Sequence, residues 1–252
     1  MPSLDFYPTV PVFDANIGIG HRHDRVAPFA GPAELSAQMK AQGVDRALVY
    51  HVQGEKISAI DGNNALLGWI GDHDCFTPQW MANPNQACLA HLQTLRQEGR
   101  LNSVRLHSTT DNHLSFSDWI YGDLLDWLAD ADIPLWVSLA DTPADQIAAT
   151  LGQYPQLRTV LVGAHYMHAM AVKPLLRRLP NAHIELSRYE KLGGVEELRD
   201  EFGAERLLYG SYYPRYAMGP ILYYLHTADF STDELAAVCA GNLERILLKA
   251  IS

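Results

Sequence analysis

Eleven histidines are spread over the 252 residues, and several stand where an apolar run gives way to polar sequence. His51 ends the run 44–52, His107 ends 103–107 and His165 ends 159–165. His21 and His23 follow the run 9–16, which itself ends in Asn16. Histidine ionises near neutral pH, so at such positions it suits proton transfer or metal ligation. Arginine and carboxylates stand close by. In an extended segment alternate residues share a face, so Arg105 and His107 point one way while Val104 and Leu106 point the other. By the same period, His183, Glu185 and Ser187 share a face opposite Ile184 and Leu186. A polar face in a buried strand is costly unless partnered, which marks these faces as candidates for a site. Arg105 suits a bidentate clamp on a carboxylate, although a structural pair with Glu185 would also satisfy it. His51 equally suits a hydrogen-bonded core position. His183 begins its segment and reads as structural, while His73, His91, His113 and His226 read as surface or loop residues.

These residues need a scaffold that gathers them. Short runs rich in β-formers fall at 9–16, 44–52, 78–83, 103–107, 134–140, 159–165, 183–186 and 206–211, and amphipathic segments lie between them. Helices are expected at 32–41, 57–70, 85–97, 117–131, from 142, before Pro180, at 195–202 and at 232–248. Pro32 and Gly43 frame the first. Trp119, Leu124, Leu125 and Leu128 form an apolar stripe at helical spacing. Thr142-Pro143 reads as N-cap and first turn, and Ser231 with Glu234 as a capping box. Eight strand–helix alternations in this length fit an α/β fold of the (β/α)8 TIM-barrel type, one domain over 1–252. No G-x-G-x-x-G follows the first strand, which argues against a dinucleotide fold. The irregular stretches 18–31, 108–116 and 212–231 become βα loops on the face where barrels place their chemistry. Trp80, Tyr166, Tyr212, Tyr213 and Tyr216 are candidates to line its mouth.

Composition narrows the function. Hydrophobic residues make up 48% and charged residues 19%, enough to build a large core. With 19 basic against 29 acidic residues the net charge is −10, which excludes a nucleic-acid surface. No apolar stretch reaches the roughly 18 residues of a membrane span, so no membrane partner is expected. Cys75, Cys88 and Cys239 form no C-x-x-C and the N-terminus has no signal-peptide pattern, so a cytoplasmic protein with reduced thiols is expected. Tyr223 and Tyr224 are candidates for a homo-oligomer contact.

Several motifs resemble one family in the correct order. RLLYGSYYP (206–214) resembles the GSD-type signature of the amidohydrolase-2 family, and AGNLERIL (240–247) resembles the motif of its last helix. FDANIG (13–18) resembles its opening DxHxH strand, VLVGAHY (160–166) its sixth-strand histidine, and NAHIELSRYE (181–190) its seventh strand. The resemblance implies a distorted (β/α)8 barrel whose strand tips hold a divalent metal that activates water against a C–N or C–O bond. It also implies relatives that decarboxylate aromatic or unsaturated acids and lactonases that act without metal. At the ligand positions the resemblance implies, however, this chain carries Asn16 and Gly18 for histidines and Tyr212 for the eighth-strand aspartate. Its fifth strand has no histidine, and only His165 matches.

The expectation is therefore a hydrolase, or a related lyase, for a small carboxylated substrate, with no tightly bound metal. His107 or His165 serves as general acid/base, Arg105 orients the anionic group, and Tyr212 and Ser211 donate to a developing oxyanion. Asn16, His21, His23, His51, Glu185 and Ser211 complete the substrate site. One alternative is a metal-dependent hydrolase with zinc relocated to His21, His23 and His165, since three histidines suffice for catalytic zinc. The other is a non-catalytic binding protein that kept the scaffold.

Overall fold

The computed structural model describes residues 6–22 and 25–248, so His23 lies outside the described residues. The strands in chain order are β1 (Phe13–Ile19), β2 (Arg46–His51), β3 (Phe76–Pro78), β4 (Trp80–Ala82), β5 (Val104–Leu106), β6 (Leu135–Ser138), β7 (Thr159–Val162), β8 (Ala182–Glu185) and β9 (Leu207–Leu208). All pairings are parallel, in the orders β1-β2-β3 and β4-β5-β6-β7-β8-β9. β3 and β4 are one stretch of chain parted only by Gln79; its first half pairs with β2 and its second with β5. At the other seam, Ala15 N donates to Tyr209 O at 3.1 Å and Gly18 N to Tyr213 O at 2.8 Å, bringing β1 alongside the end of β9. Eight strand positions thus follow one another with helices between them, in the (β/α)8 arrangement.

Alternation along the strands separates two apolar layers. Ala47, Val49, Leu135, Val137 and Leu161 pack outward with the helices. Phe13, Ala15, Leu48, Trp136, Val160, Val162 and Leu208 pack inward, closed by Ala240, Leu243, Ile246 and Leu247 of the C-terminal helical segment. This inner plug fills the N-terminal half of the barrel. The next inward positions toward the strand tips are polar: Tyr50 follows Leu48, Ser138 follows Trp136, and Glu185 follows His183. The sequence therefore builds an apolar floor and sets a polar layer on it.

Several elements differ from the sequence expectation, each for a local reason. β1 starts later and runs to Ile19, because a register shift between Asp14 and Ile17 lets it continue past Asn16. The helix expected at 57–70 spans Ala59–Ile70, capped by Ser58, whose Oγ accepts from Asp61 N at 3.2 Å, and a separate short helix, Gln53–Lys56, precedes it. Trp119 is 83% exposed, and Tyr121 takes the inward place on the helix Asp118–Asp130. Thr142 does not cap the helix Ala144–Leu151; its hydroxyl accepts from Thr109 Oγ1 at 3.2 Å, tying two βα loops together. The loop 212–231 contains a helix, Gly219–Thr227, with Pro220 in its first turn. Trp80 is buried with Nε1 donating to Arg100 O at 3.0 Å, away from the mouth. The Ser231–Glu234 capping box is formed as expected. All three cysteines are unpaired, and among the described residues no helix is long and apolar enough to cross a membrane.

Candidate functional site

The polar layer is organised around one guanidinium. Arg105, on β5, is 1% exposed. Its Nη1 donates to Asn16 Oδ1 at 3.2 Å, and its Nη2 lies 3.7 Å from Glu55 Oε1. Its Cζ stands 3.9 Å from the centre of the Tyr50 ring and 6.0 Å from that of Tyr212. A buried cation is tolerable only when it is paired and hydrogen-bonded, and these contacts, charge and cation–π together, supply that. Glu55 sits between two arginines, since its Oε2 accepts from Arg215 Nη2 at 2.8 Å. Arg215 in turn covers the Tyr212 ring at 4.6 Å.

Asn16 links this cluster to a buried carboxyl. Its Nδ2 donates to Glu185 Oε2 at 2.9 Å, while Ser187 N and Oγ donate to Glu185 Oε1 and Oε2 at 2.6 and 3.0 Å. A methyl on Gly210 would fall 2.5 Å from Glu185 Oε1, so the glycine of the YGSYYP stretch makes room for this carboxyl. Burial raises Glu185 to about 7, against the pull of its Asn16 and Ser187 hydrogen bonds. Asp14 Oδ1 accepts from Asn16 N and Ser211 N, both at 2.9 Å, and burial raises this carboxyl to about 6. Arg105 and Glu185 are thus joined through Asn16, while the ion pairs of Arg105 and Arg215 are with Glu55.

Side chains in or beside this layer that carry buried polar atoms with no hydrogen-bond partner include Asp14 (Oδ2), Gln79, Arg105 (Nη2), Ser138 (Oγ), Tyr212 (OH) and Arg215 (Nε). Tyr212 and Ser138 are neighbours, both within 3.5 Å of where a Gly163 Cβ would stand. Tyr212 also adopts a φ of 56°, which a bulky residue enters at a cost of order 1–3 kcal/mol, and such strain collects at working sites. Burial keeps its phenol protonated, raising its pKa well above the ordinary range. The layer therefore presents unused donors at Arg105, Ser138, Tyr212 and Arg215 beside an unused carboxyl oxygen, Asp14 Oδ2, and the donors suit an oxyanion.

Two cavities open above it. One, of about 460 Å³, is lined by His21, His51, Glu55, Lys56 and Asp111 among others. The other, of about 240 Å³, is lined by Arg22, Arg25, Arg215 and Tyr216 among others. The Glu55–Arg215 pair stands where they meet, since each cavity reaches one partner.

The candidate histidines fall in four places. His107 does not join Arg105; its ring meets Tyr121 OH at 2.7 Å, and burial lowers its pKa to about 4. His21 and His51 line the larger cavity, with His51 held below its ordinary pKa by burial and by His21. His165, just past β7, is half-buried; its Nδ1 accepts from Met167 N at 3.3 Å, which sets the ring at the start of the turn Tyr166–His168. His183 faces Arg206, Arg245 and Arg158 at the opposite end of the barrel, and burial lowers it to about 4. Sequence reasoning missed Tyr50, Glu55, Gln79 and Arg215. Tyr50 and Leu48 share a strand face, a signal already present in the period of two; Glu55 and Arg215 lie in segments without periodicity.

A divalent metal does not fit these residues. Both ends of the Asn16 amide are occupied, by Glu185 and Arg105. Gly18 has no donor, and a Cβ there would meet Val52 Cγ1 at 3.0 Å and Tyr50 OH at 3.1 Å. Tyr212 offers a protonated phenol. Among the described residues no group of three or more His, Cys, Asp or Glu is placed to hold a metal. His21, one of the relocated candidates, has its Nδ1 accepting from Ala27 N at 3.1 Å, and His23 is outside the described residues.

The fold and the polar layer at its strand tips define a TIM barrel with a candidate site on its C-terminal face. Its sequence matches the amidohydrolase family model over residues 15–248, and the chain belongs to the amidohydrolase-2 family. Similar solved structures include an uncharacterised TIM-barrel protein from Bordetella bronchiseptica, with 18% identity, 96% of this chain and 99% of that chain covered, and a TM-score of 0.77. Another is 5-carboxyvanillate decarboxylase from Sphingomonas paucimobilis, with 16% identity, 95% and 99% covered, and a TM-score of 0.73. A third is a dihydroxybenzoic acid decarboxylase from Polaromonas sp. JS666 with bound manganese and the inhibitor 2-nitroresorcinol, with 12% identity, 95% and 97% covered, and a TM-score of 0.76. At these identities the likeness concerns the fold. No curated protein matches the sequence.

Proposed function

We propose that this chain is a hydrolase or lyase for a small carboxylated molecule, working by general acid–base catalysis without a tightly bound metal. The observation that carries the proposal is Glu55. A carboxylate of the chain itself lies against the guanidinium groups of Arg105 and Arg215, at the meeting point of two cavities. A substrate carboxylate entering there exchanges with Glu55 for the same donors, and bidentate arginine–carboxylate geometry makes that exchange specific. The decarboxylases of similar fold named above act on aromatic carboxylates, which supports the same substrate class.

Once the carboxylate is held, Tyr212 OH and the Ser211 hydroxyl are the donors for an oxyanion developing at the reacting carbon. His165 moves the proton. Its Nδ1 accepts a backbone hydrogen bond, which leaves the proton of the neutral ring on Nε2, toward a partner that the turn does not supply. His107 is the poorer proton carrier, because its ring is bound to Tyr121 and burial holds it neutral. The bond broken is a lactone or amide linkage, or the C–C bond to a carboxylate.

The burial of Arg105 favours a second reading, a binding protein that has sealed the centre of its barrel. A panel of lactones, amides and aromatic or unsaturated carboxylic acids separates the two. The proposal expects turnover of a carboxylated member, lowered about 10²- to 10⁴-fold in kcat by His165→Gln. Saturable binding of such acids with no turnover of any of them supports the binding protein instead.

A further inference from the structure

We infer that the guanidinium of Arg105 is the resident cation of this barrel, seated among the family's ligand positions in a slot formed by Asn16, Gly18, Tyr50 and Tyr212. Three of the positions that the family resemblance assigns to metal ligands contribute to this slot in other ways. Asn16 gives its Oδ1 as an acceptor at 3.2 Å from Nη1. Gly18 gives space: a Cβ there would stand 3.0 Å from Val52 Cγ1 and 3.1 Å from the Tyr50 hydroxyl, a tight fit that leaves Tyr50 close against this strand. Tyr50 then lays its ring on the guanidinium at 3.9 Å, and Tyr212 faces it at 6.0 Å. Glu55 supplies the counter-charge at 3.7 Å.

The substitutions depend on one another. A histidine at position 18 would crowd Tyr50, whose ring covers the cation, and Val52. A histidine at position 16 would remove the oxygen that accepts from Nη1. A dication entering the layer would meet two guanidinium groups, Arg105 and Arg215, with Glu55 already engaged by both. The remaining carboxyls are engaged within the layer: Asp14 Oδ1 accepts from Asn16 N and Ser211 N, and both oxygens of Glu185 accept from Asn16 or Ser187. The chain therefore carries its positive charge covalently. A guanidinium supplies fixed N–H donors and charge, and offers no coordination position.

The test reads binding, so it does not depend on which substrate is turned over. Chelator-treated wild-type protein is titrated with Mn(II), followed by electron paramagnetic resonance, and with Zn(II), followed by calorimetry. In parallel, Arg105→Ala is heated in the presence of millimolar ethylguanidinium or of the neutral isostere ethylurea. The inference expects no stoichiometric uptake of either metal at micromolar concentration by the wild type. It also expects ethylguanidinium, and not ethylurea, to raise the melting temperature of Arg105→Ala saturably while leaving the wild type unmoved. One equivalent of Mn(II) or Zn(II) bound at micromolar concentration and lost in Asn16→Ala overturns it, as does equal action of the two small molecules on Arg105→Ala. Should that variant not fold, Arg105→Lys decides. It keeps the charge and is expected to take up no metal; one bound equivalent overturns the inference.

Discussion

Replacing Glu185 by glutamine probes the polar layer at a fully buried carboxyl. Burial lifts its pKa from the usual 4.5 to about 7. A carboxyl whose folded-state pKa lies above its unfolded value binds its proton more tightly in the folded protein. Its contribution to stability is therefore complete below about pH 4.5 and is lost as the pH rises through about 7. The difference of about 2.5 pH units, at about 1.36 kcal/mol per unit, amounts to about 3 kcal/mol. Glu185→Gln removes this dependence. It also sets an amide N–H against Asn16 Nδ2 and Ser187 Oγ, both of which now donate to the carboxyl, at a cost of about 1–3 kcal/mol that does not vary with pH. The variant is thus less stable than the wild type at pH 4.5 and equal to it or more stable at pH 8, with the difference changing by about 3 kcal/mol between them. Urea unfolding at constant ionic strength across that range measures it. A difference that stays flat to within about 1 kcal/mol would show that Glu185 ionises as a hydrated carboxyl does and that the layer is not sealed.

Other variants test neighbouring links. Gly210→Ala places a methyl 2.5 Å from Glu185 Oε1 and is expected to lower stability by about 1–3 kcal/mol in thermal unfolding. Tyr121→Phe removes the partner of His107 and is expected to leave kcat on the identified substrate unchanged within about twofold, while His165→Gln lowers it by at least about 10²-fold. Glu55→Gln withdraws the internal carboxylate from Arg105 and Arg215; calorimetry with benzoate or malonate is expected to show binding about tenfold tighter, or about 1.4 kcal/mol. Unchanged affinity there would mean that Glu55 does not stand in the substrate's place.

Much of the scaffold was legible because its signals are local. The period of two placed Arg105 on one strand face and Glu185 on another, and the GSYYP and GNLERIL segments set the family and the order of the strands. Ser231 and Glu234 announced the last helix through a cap that depends on four residues. The site was less legible, since its partners are set by three-dimensional closure. Arg105 meets Glu55 across 50 positions and Asn16 across 89, and neither distance leaves a trace in periodicity. His107 illustrates the opposite failure: it lies two residues from Arg105, yet past the last residue of β5 the chain leaves the strand and the ring turns to Tyr121. The apolar run 9–16 predicts a first strand that stops at Asn16, whereas β1 continues to Ile19. The register shift that carries β1 to Ile19 is what sets Asn16 and Gly18 beside Arg105 and Tyr50.

The most direct measurement is a crystal structure at neutral pH, grown with manganese and zinc present and soaked with a small aromatic carboxylate, with anomalous data recorded at both metal edges. The account predicts the carboxylate against the guanidinium groups of Arg105 and Arg215, Glu55 turned aside, and no anomalous peak between β1 and β9. A metal ion bound beside Asn16, or the carboxylate seated away from both arginines, would contradict it.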